Sequence, residues 1–436
     1  MTSAMAATAA IRNRDCSVAA LTEGFLARIA AHNPRINALR DSDADQAHQT
    51  ARALDARLDR GEDIGLLGGL PVVVKENCDT VGYVCSAGLK FRTDHRPATD
   101  SWITARLRSA GAVILGTSIS DPGAFGVRTA EVNHPAEAAL TVGGSSGGSA
   151  AALAAGFCLG AIGTDTGGSI RIPSACCGTV GLKPTFDALP MTGIFPLVPS
   201  LDHVGPLART VTDTALLWSA LDVRRMDAPR PARRIGVDPA WVADADAPIR
   251  EAFSVLLDRL ANAGVEIHEI TLPAIDSVWD IHGHVFLVES AAWHMARYAD
   301  QRSQYPTLAQ MGFELAEAMS VARYIKACSG RVQARNRVTA IFDTLDLILA
   351  PTLSVYLPPK HSEALTVSGN SMDYVMALVR QTSLFNVTGH PSLAMPIPSN
   401  GAMVAPSLQI IGRHGAEHQV LTFGAWLEAG LPDLVG

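Results

Sequence analysis

The residues Gly143-Gly144-Ser145-Ser146-Gly147-Gly148-Ser149, followed closely by Gly163-Thr164-Asp165-Thr166-Gly167-Gly168-Ser169-Ile170-Arg171-Ile172-Pro173, set two glycine- and serine-rich turns near each other in the chain. Glycine lets the backbone take positive φ and approach a ligand closely, and successive exposed amides make an anion-binding concavity. Hydroxyls on such backbone are what a serine nucleophile and its oxyanion donors need, and two turns of one kind point to one shared site.

Working outward, the flanking chain alternates helices and buried strands. Ser17 caps a helix whose apolar Val18, Leu21, Phe25 and Ile29 recur at helical spacing, and Asn33-Pro34 is expected to stop it. A second helix spans roughly Ala44 to Leu58. Behind Gly68-Gly69, the apolar, β-branched run Leu70 to Val74 reads as a buried strand that delivers Lys75 at its end. Trp102 to Ala110 reads as a helix and Ala112 to Leu115 as the next strand. Ile235 to Val237 and Val265 to Ile270 read as further strands, and Val338 to Leu349 passes from helix to a strand stopped by Pro351. This rhythm is that of an α/β sheet. Residues 221–245, rich in Arg, Pro, Asp and Ala, read as a surface excursion.

Composition narrows the function classes. Of 436 residues, 48% are apolar and 18% charged, enough for a large buried core. A net charge of −7 without any Lys/Arg run gives no footprint for a phosphate backbone, so no nucleic-acid partner is expected. No apolar stretch reaches spanning length, and the N-terminal residues lack a basic start followed by a hydrophobic block. The chain therefore reads as cytoplasmic and not membrane-bound. Seven cysteines, an odd number without a CxxC pair, read as buried small side chains in a reducing compartment.

A serine hydroxyl at position 169 needs a base, and no usual histidine partner is obvious near these turns. A lysine can serve when neutral. Starting from about 10.4, its pKa must fall by roughly three units, a bias of about 4 kcal/mol that burial without a carboxylate partner can supply. Lys75, at the end of an apolar strand, fits. Ser145 fits a relay between base and nucleophile, and Thr166-Gly167-Gly168-Ser169 offers successive N–H groups for an oxyanion, each worth about 3 kcal/mol when well placed.

The chain resembles the amidase signature family. The resemblance runs through Gly69-Leu70-Pro71-Val72-Val73-Val74-Lys75-Glu76-Asn77, Arg106 to Gly116, GGSSGGSAAALAAG at 143–156, GTDTGGSIRIPSACCGTVGLKPT at 163–185 and PSLDHVGPLARTVTD at 199–213, with weaker similarity at 345–352 and 386–398. It implies an α/β fold in a single domain over 1–436, with a mixed, twisted sheet flanked by helices on both faces. Its core motifs fall in 69–213 and a variable substrate-side region at about 221–380. It further implies a Ser-cisSer-Lys triad of Ser169 as nucleophile, Ser145 as relay and Lys75 as base, with a cis peptide before Ser145 and the amides of Thr166, Gly167, Gly168 and Ser169 as oxyanion donors. Gly143, Gly144, Phe125 and Cys176 are the candidate substrate contacts; Ser146, Asp165 and Arg171 are supporting. No metal and no cofactor is implied, since acyl transfer through serine needs neither.

The departures are local. Glu76 stands where the family has Asp. Residues 116–126 lose the TNMxEFA pattern, with Ile119 and Pro122 replacing Asn and Glu. Cys176 replaces an aromatic residue, and Phe186-Asp187-Ala188 a Tyr-Gly-Arg.

Other residues have plainer expectations. Ser146 and Ser149 tie down the turn or cap the next helix, and Asp165 pairs with Arg171 to brace the loop. His282, His284, Glu289 and His294 suggest a metal only if HxH lies on a strand, and pocket lining is favoured. Three functions are in view. The first is a stand-alone hydrolase of a small carboxamide or ureido compound; the second is a glutamine-hydrolysing amidotransferase component that works with obligatory partners. The third is an α/β-hydrolase reading Gly144-Ser145-Ser146-Gly147-Gly148 as GxSxG, with Ser146 as nucleophile and His390, His414 or His418 as base. An exposed apolar helix near the N-terminus is expected to leave room for a homodimer.

Overall fold

A computed structural model describes residues 2–222, 231–397 and 404–430. Residues 223–230 of the expected surface excursion lie outside the described residues, and its remainder is no excursion: Arg234–Val237 is a strand of the main sheet, and Ile235, Trp241 and Ala245 are buried. The strands are β1 (Leu39–Ser42), β2 (Pro71–Lys75), β3 (Val113–Ser118), β4 (Gly160–Asp165), β5 (Val180–Lys183), β6 (His203–Ala208), β7 (Arg234–Val237), β8 (Glu266–Glu269), β9 (Leu347–Pro351), β10 (Ala364–Val367), β11 (Asn370–Asp373), β12 (Ser392–Pro396) and β13 (Ser407–Ile411). Eleven of them form one sheet in the order β1-β3-β2-β4-β6-β5-β12-β13-β9-β7-β8, and β10 and β11 form a separate hairpin. The sheet is mixed: β3-β2-β4 and β9-β7-β8 pair parallel, and the strands between them pair antiparallel.

Strand β2 shows why its sequence is apolar without alternation. Successive side chains point to opposite faces. Val72 and Val74 pack with Leu107, Trp218 and Leu421 on one face. Val73 packs with Ala151, Leu153 and Phe157 on the other. Both faces are covered by helices, so every β2 residue is buried. Lys75 shares the face of Val73, beneath the helix Gly147–Ala154.

The expected helices form with their caps. Ser17 Oγ accepts from the Ala20 amide at 3.0 Å. That helix, Val18–Ile36, runs through Pro34 instead of stopping at it. Proline in the last turn removes a single donor. The end is closed by Asn37 at φ 56° and by Asn33 Oδ1, which accepts the amides of Ala38 and Leu39 at 2.8 and 3.1 Å. The N-terminal helix Ala4–Arg12 also differs from expectation. Ala4, Ala7 and Ile11 are buried, and the Met5 amide donates to Asp213 Oδ1 at 3.1 Å on the helix Val211–Leu221. Its buried face packs against its own chain, while Met5 stays 46% exposed. Among the described residues, no helix is long and apolar enough to cross a membrane.

Candidate active site

Lys75 ends β2 with no exposed surface. Its Nζ lies 2.7 Å from Ser145 Oγ and donates to Thr164 Oγ1 at 2.9 Å. Asn77 Nδ2 donates to the same Thr164 oxygen at 3.1 Å, which fixes that hydroxyl between β2 and β4. Among the described residues, no carboxylate pairs with Lys75. Burial lowers its pKa from 10.5 to about 8, against smaller upward pulls from Cys78, Asp121, Asp165 and Asp202. A buried ammonium without a counter-ion sheds its proton in this way.

The Gly144–Ser145 peptide is cis. Gly143 has φ +71°, and a Cβ on it would sit 2.9 Å from Pro173 Cα, so the turn can approach the second loop only with glycine there. The two loops are tied backbone to backbone, Ser146 N–H donating to the Ser169 carbonyl at 3.2 Å.

The second loop is braced by a buried ion pair. Arg171 Nε and Nη2 donate to Asp165 Oδ2 and Oδ1 at 3.0 and 2.9 Å, and neither side chain is exposed. Arg171 also donates to the Thr382 carbonyl, Gln409 Oε1 and Asn386 Oδ1 at 2.8, 2.7 and 2.6 Å. Burial alone would raise the Asp165 pKa, but the charge and hydrogen bonds of Arg171 hold it well below the usual carboxylate range. Such a pair stabilises only when its remaining donors and acceptors are satisfied, as here.

Asp165 also accepts the amides of Gly168 and Ile170 at 2.8 and 3.1 Å. This corrects the expected oxyanion set: the Gly168 amide is committed to Asp165, whereas Thr166, Gly167 and Ser169 donate their amides to no partner among the described residues. The same loop is held by its carbonyls. His282 Nε2 donates to the Thr166 carbonyl at 3.1 Å, and Thr382 Oγ1 donates to that of Gly167. Gly168 has φ +137°, and a Cβ there would meet Thr382 Oγ1 at 2.3 Å.

Ser169, Thr166 and Gly167 form one end of a cavity of about 550 Å³. Phe125 lines it. Gly143, Gly144 and Cys176 do not: Cys176 lies in the helix Arg171–Cys177 beside Leu353 and Val355, its thiol pushed up to about 12 by burial. Its shortening from an aromatic residue therefore changes packing behind Gly143 and leaves the cavity wall alone.

These features converge with a family model: the amidase family matches residues 20–421. The chain belongs to the amidase family. It is similar to a glutamyl-tRNA(Gln) amidotransferase subunit of Alkaliphilus metalliredigens, 31% identical over 94% of this chain and 92% of that protein. It is likewise similar to a putative amidase, AmiD, of Mycobacterium tuberculosis, 30% identical over 95% and 91%. A crystal structure of an amidase superposes with a TM-score of 0.91 at 30% identity, covering 99% of this chain and all of the other.

Within this amidase-family chain the supporting residues take defined places. Ser146 Oγ donates to the Thr164 carbonyl and accepts the Thr164 amide, both at 3.2 Å, so it ties the turn to β4 and makes no cap bond to the helix it precedes. Ser149 Oγ donates to the Ile162 carbonyl at 2.9 Å. With Ser146 engaged on both sides, the elbow reading loses its nucleophile. Its proposed bases lie apart, His390 stacked on His414 and His418 near Asp222.

The HxH segment is helical, within Ile275–Tyr298, which points residues two apart to different sides. His282 faces the cavity, and burial lowers its pKa to about 4, so it is neutral in ordinary buffer. His284 Nδ1 donates to the Asp280 carbonyl, Glu289 accepts from Tyr324, and His294 Nδ1 pairs with the Tyr305 hydroxyl. Among the described residues no group of three His, Cys, Asp or Glu side chains could hold a metal ion.

Several site residues escaped sequence reasoning. Asp121 Oδ2 accepts the amides of Arg128 and Thr129, both at 2.9 Å, behind Gly144. Asp202 accepts from the Thr166 hydroxyl at 2.6 Å and from the amides of Leu197 and Val198, and burial pushes its pKa up to about 6. Glu76 Oε1 accepts the Ser120 amide at 2.8 Å, and Glu76 Oε2 takes Arg40 Nε at 3.1 Å, which gives the longer side chain a bracing place of its own.

Proposed function

We propose that the protein is a stand-alone amidohydrolase that cleaves a small carboxamide or ureido compound through an acyl-enzyme on Ser169. One observation carries the reading: a buried lysine, with no carboxylate partner among the described residues, 2.7 Å from a serine hydroxyl in the turn bonded to the Ser169 backbone. With Lys75 neutral, its lone pair accepts the Ser145 proton while Ser145 accepts that of Ser169. Ser169 Oγ bonds to the substrate carbonyl carbon, and the Thr166, Gly167 and Ser169 amides stabilise the oxyanion. Collapse breaks the C–N bond; the proton held by Lys75 returns through Ser145 to the leaving nitrogen. Water then adds to the acyl-enzyme by the same relay and releases the acid.

The seven free cysteines support a reducing, cytoplasmic setting, and the continuity of the central sheet across the family match supports a single domain. A second reading, glutamine hydrolysis in the service of a partner protein, is favoured by the similarity to an amidotransferase component. Ammonia release from a panel of simple amides, with glutamine as one arm, separates the two. The hydrolase reading expects turnover of a simple amide, its loss in Ser169→Ala and Lys75→Ala, and survival of turnover in Ser146→Ala. Turnover of glutamine alone would transfer the assignment to the second reading.

A further inference from the structure

The cavity that ends at Ser169 has a wall that is apolar inside and charged only at its rim. Its inner surface is built by Phe125, Val127, Leu197, Trp279, Phe286 and Val379. The titratable group buried in it is His282, which is neutral and spends Nε2 on the Thr166 carbonyl. The charged lining residues Asp280, Arg323 and Asp373 are all exposed, and the Asp373 carboxylate already accepts the Val375 and Met376 amides. At the inner surface a carboxylate or ammonium would lose its water, and the charged lining groups left to pair with it, Asp280 and Arg323, stand at the exposed rim.

Two further features mark the space as one to be filled. Gly283 lies on the cavity side of a long helix, where other residues are better helix formers, and a Cβ built there meets nothing within 4 Å. At the mouth, Leu308, Met311 and Leu315 occupy one face of the helix Thr307–Glu317 and line the cavity, yet remain 46%, 54% and 58% exposed. The opposite side of that helix buries Ala309 and Phe313. An apolar wall continuing into an apolar lip is complementary to a bulky apolar group. The volume, about 550 Å³, falls within the roughly 300–1,000 Å³ of sites for drug-sized molecules.

Building on the hydrolase reading, we infer that the substrate is an uncharged amide bearing a large apolar group, aryl or long alkyl, which fills this cavity and rests on the Leu308–Leu315 lip. Glutamine and other charged small amides are excluded by the same wall. The apolar group can enter on the acyl or on the amine side, and the assay has an arm for each.

The experiment measures kcat/KM for primary amides from propionamide to octanamide with 4-phenylbutyramide, for N-acetyl anilines of growing size, and for glutamine and succinamate. In parallel, binding of the same compounds to Ser169→Ala is followed by calorimetry and by the change in tryptophan emission that is lost when Trp279→Phe is added. One of the two uncharged series should gain about fourfold per added methylene until the cavity is full, the worth of one buried CH2. Charged amides of equal size should fall at least about a hundredfold below. Gly283→Leu, which gains helix propensity while projecting into the cavity, should cut the large-to-small preference about tenfold or more.

Turnover that is flat across both series, or fastest with glutamine, overturns the substrate class and leaves the hydrolase reading intact. Ordered apolar binding to Ser169→Ala with no turnover by the wild type keeps the ligand class and overturns the hydrolase. Neither binding nor turnover overturns both.

Discussion

If Lys75 is the base, activity must follow its deprotonation, and the structure sets where that happens. With a pKa of about 8, roughly a tenth of the lysine is neutral at pH 7 and roughly nine-tenths at pH 9. When chemistry limits the rate, kcat/KM should therefore rise about tenfold between these pH values, with a midpoint near 8. His282, at about 4, and Asp202, at about 6, titrate below that window and do not produce this limb.

The same shift has a stability consequence. The folded pKa of Lys75 lies below that of the unfolded chain, so between about 8 and 10.5 the unfolded state binds more protons and stability rises with pH. The full difference is about 3 kcal/mol, absent below pH 8. Lys183 is lowered in the same sense, so wild-type melts alone cannot isolate Lys75. Lys75→Met can: urea melts at pH 7.5 and 10 should show a smaller gain with pH in the variant than in the wild type, by about 2–3 kcal/mol. A flat kcat/KM from pH 6 to 9, or equal gains in the two proteins, would refute a neutral lysine in this site.

Four other perturbations follow from the loop around Ser169. Arg171→Met leaves Asp165 as a buried carboxylate without its cation and should cost about 3–5 kcal/mol in chemical melts, and Arg171→Lys should recover little because one ammonium cannot serve Asp165, Asn386, Gln409 and the Thr382 carbonyl together. Gly168→Ala meets both a φ of +137° and a contact at 2.3 Å, and should lower kcat by about a hundredfold or more; a soluble, fully active variant would remove the argument for a tightly held loop. His282→Leu frees the Thr166 carbonyl and should depress kcat more than KM, which steady-state kinetics at pH 9 would reveal. Asp202 has its pKa raised by burial from 3.8 to about 6, so folding favours its protonated form, and its charge costs stability progressively between about pH 4 and 6 and in full above. Asp202→Asn, which can accept the Leu197 and Val198 amides and donate to Thr166, should match or exceed wild-type stability at pH 8 by about 1–2 kcal/mol.

What could be read from the sequence and what could not divides along sequence distance. The Leu70 to Val74 run, Lys75 at its end and the Asp165–Arg171 brace are legible because neighbours along the chain suffice: a strand buried on both faces is continuously apolar, and a charge within it is conspicuous. The resemblance extends this to the two turns and to the cis peptide before Ser145. The carbonyls of the loop before Ser169 are instead held by His282 and Thr382, and its cation by Asn386 and Gln409, all contributed from more than a hundred residues away by segments whose local pattern says only helix or strand. The HxH pair lines the cavity, as favoured, but which histidine would hold the loop could not be read, since two histidines at a spacing of two say nothing about their contacts until the period of the element is known. Oxyanion capacity was overcounted because glycine-rich sequence reveals how many amides are present and not which of them a neighbouring carboxylate has taken, and Asp165 takes that of Gly168. The proposed base and nucleophile are thus written locally, while the fixing of the loop around Ser169 and the shape of the space before it are properties of the assembled fold. On that account, substitutions at His282 and Gly283 should move catalysis and selectivity separately, the first through the loop it holds and the second through the volume it leaves open.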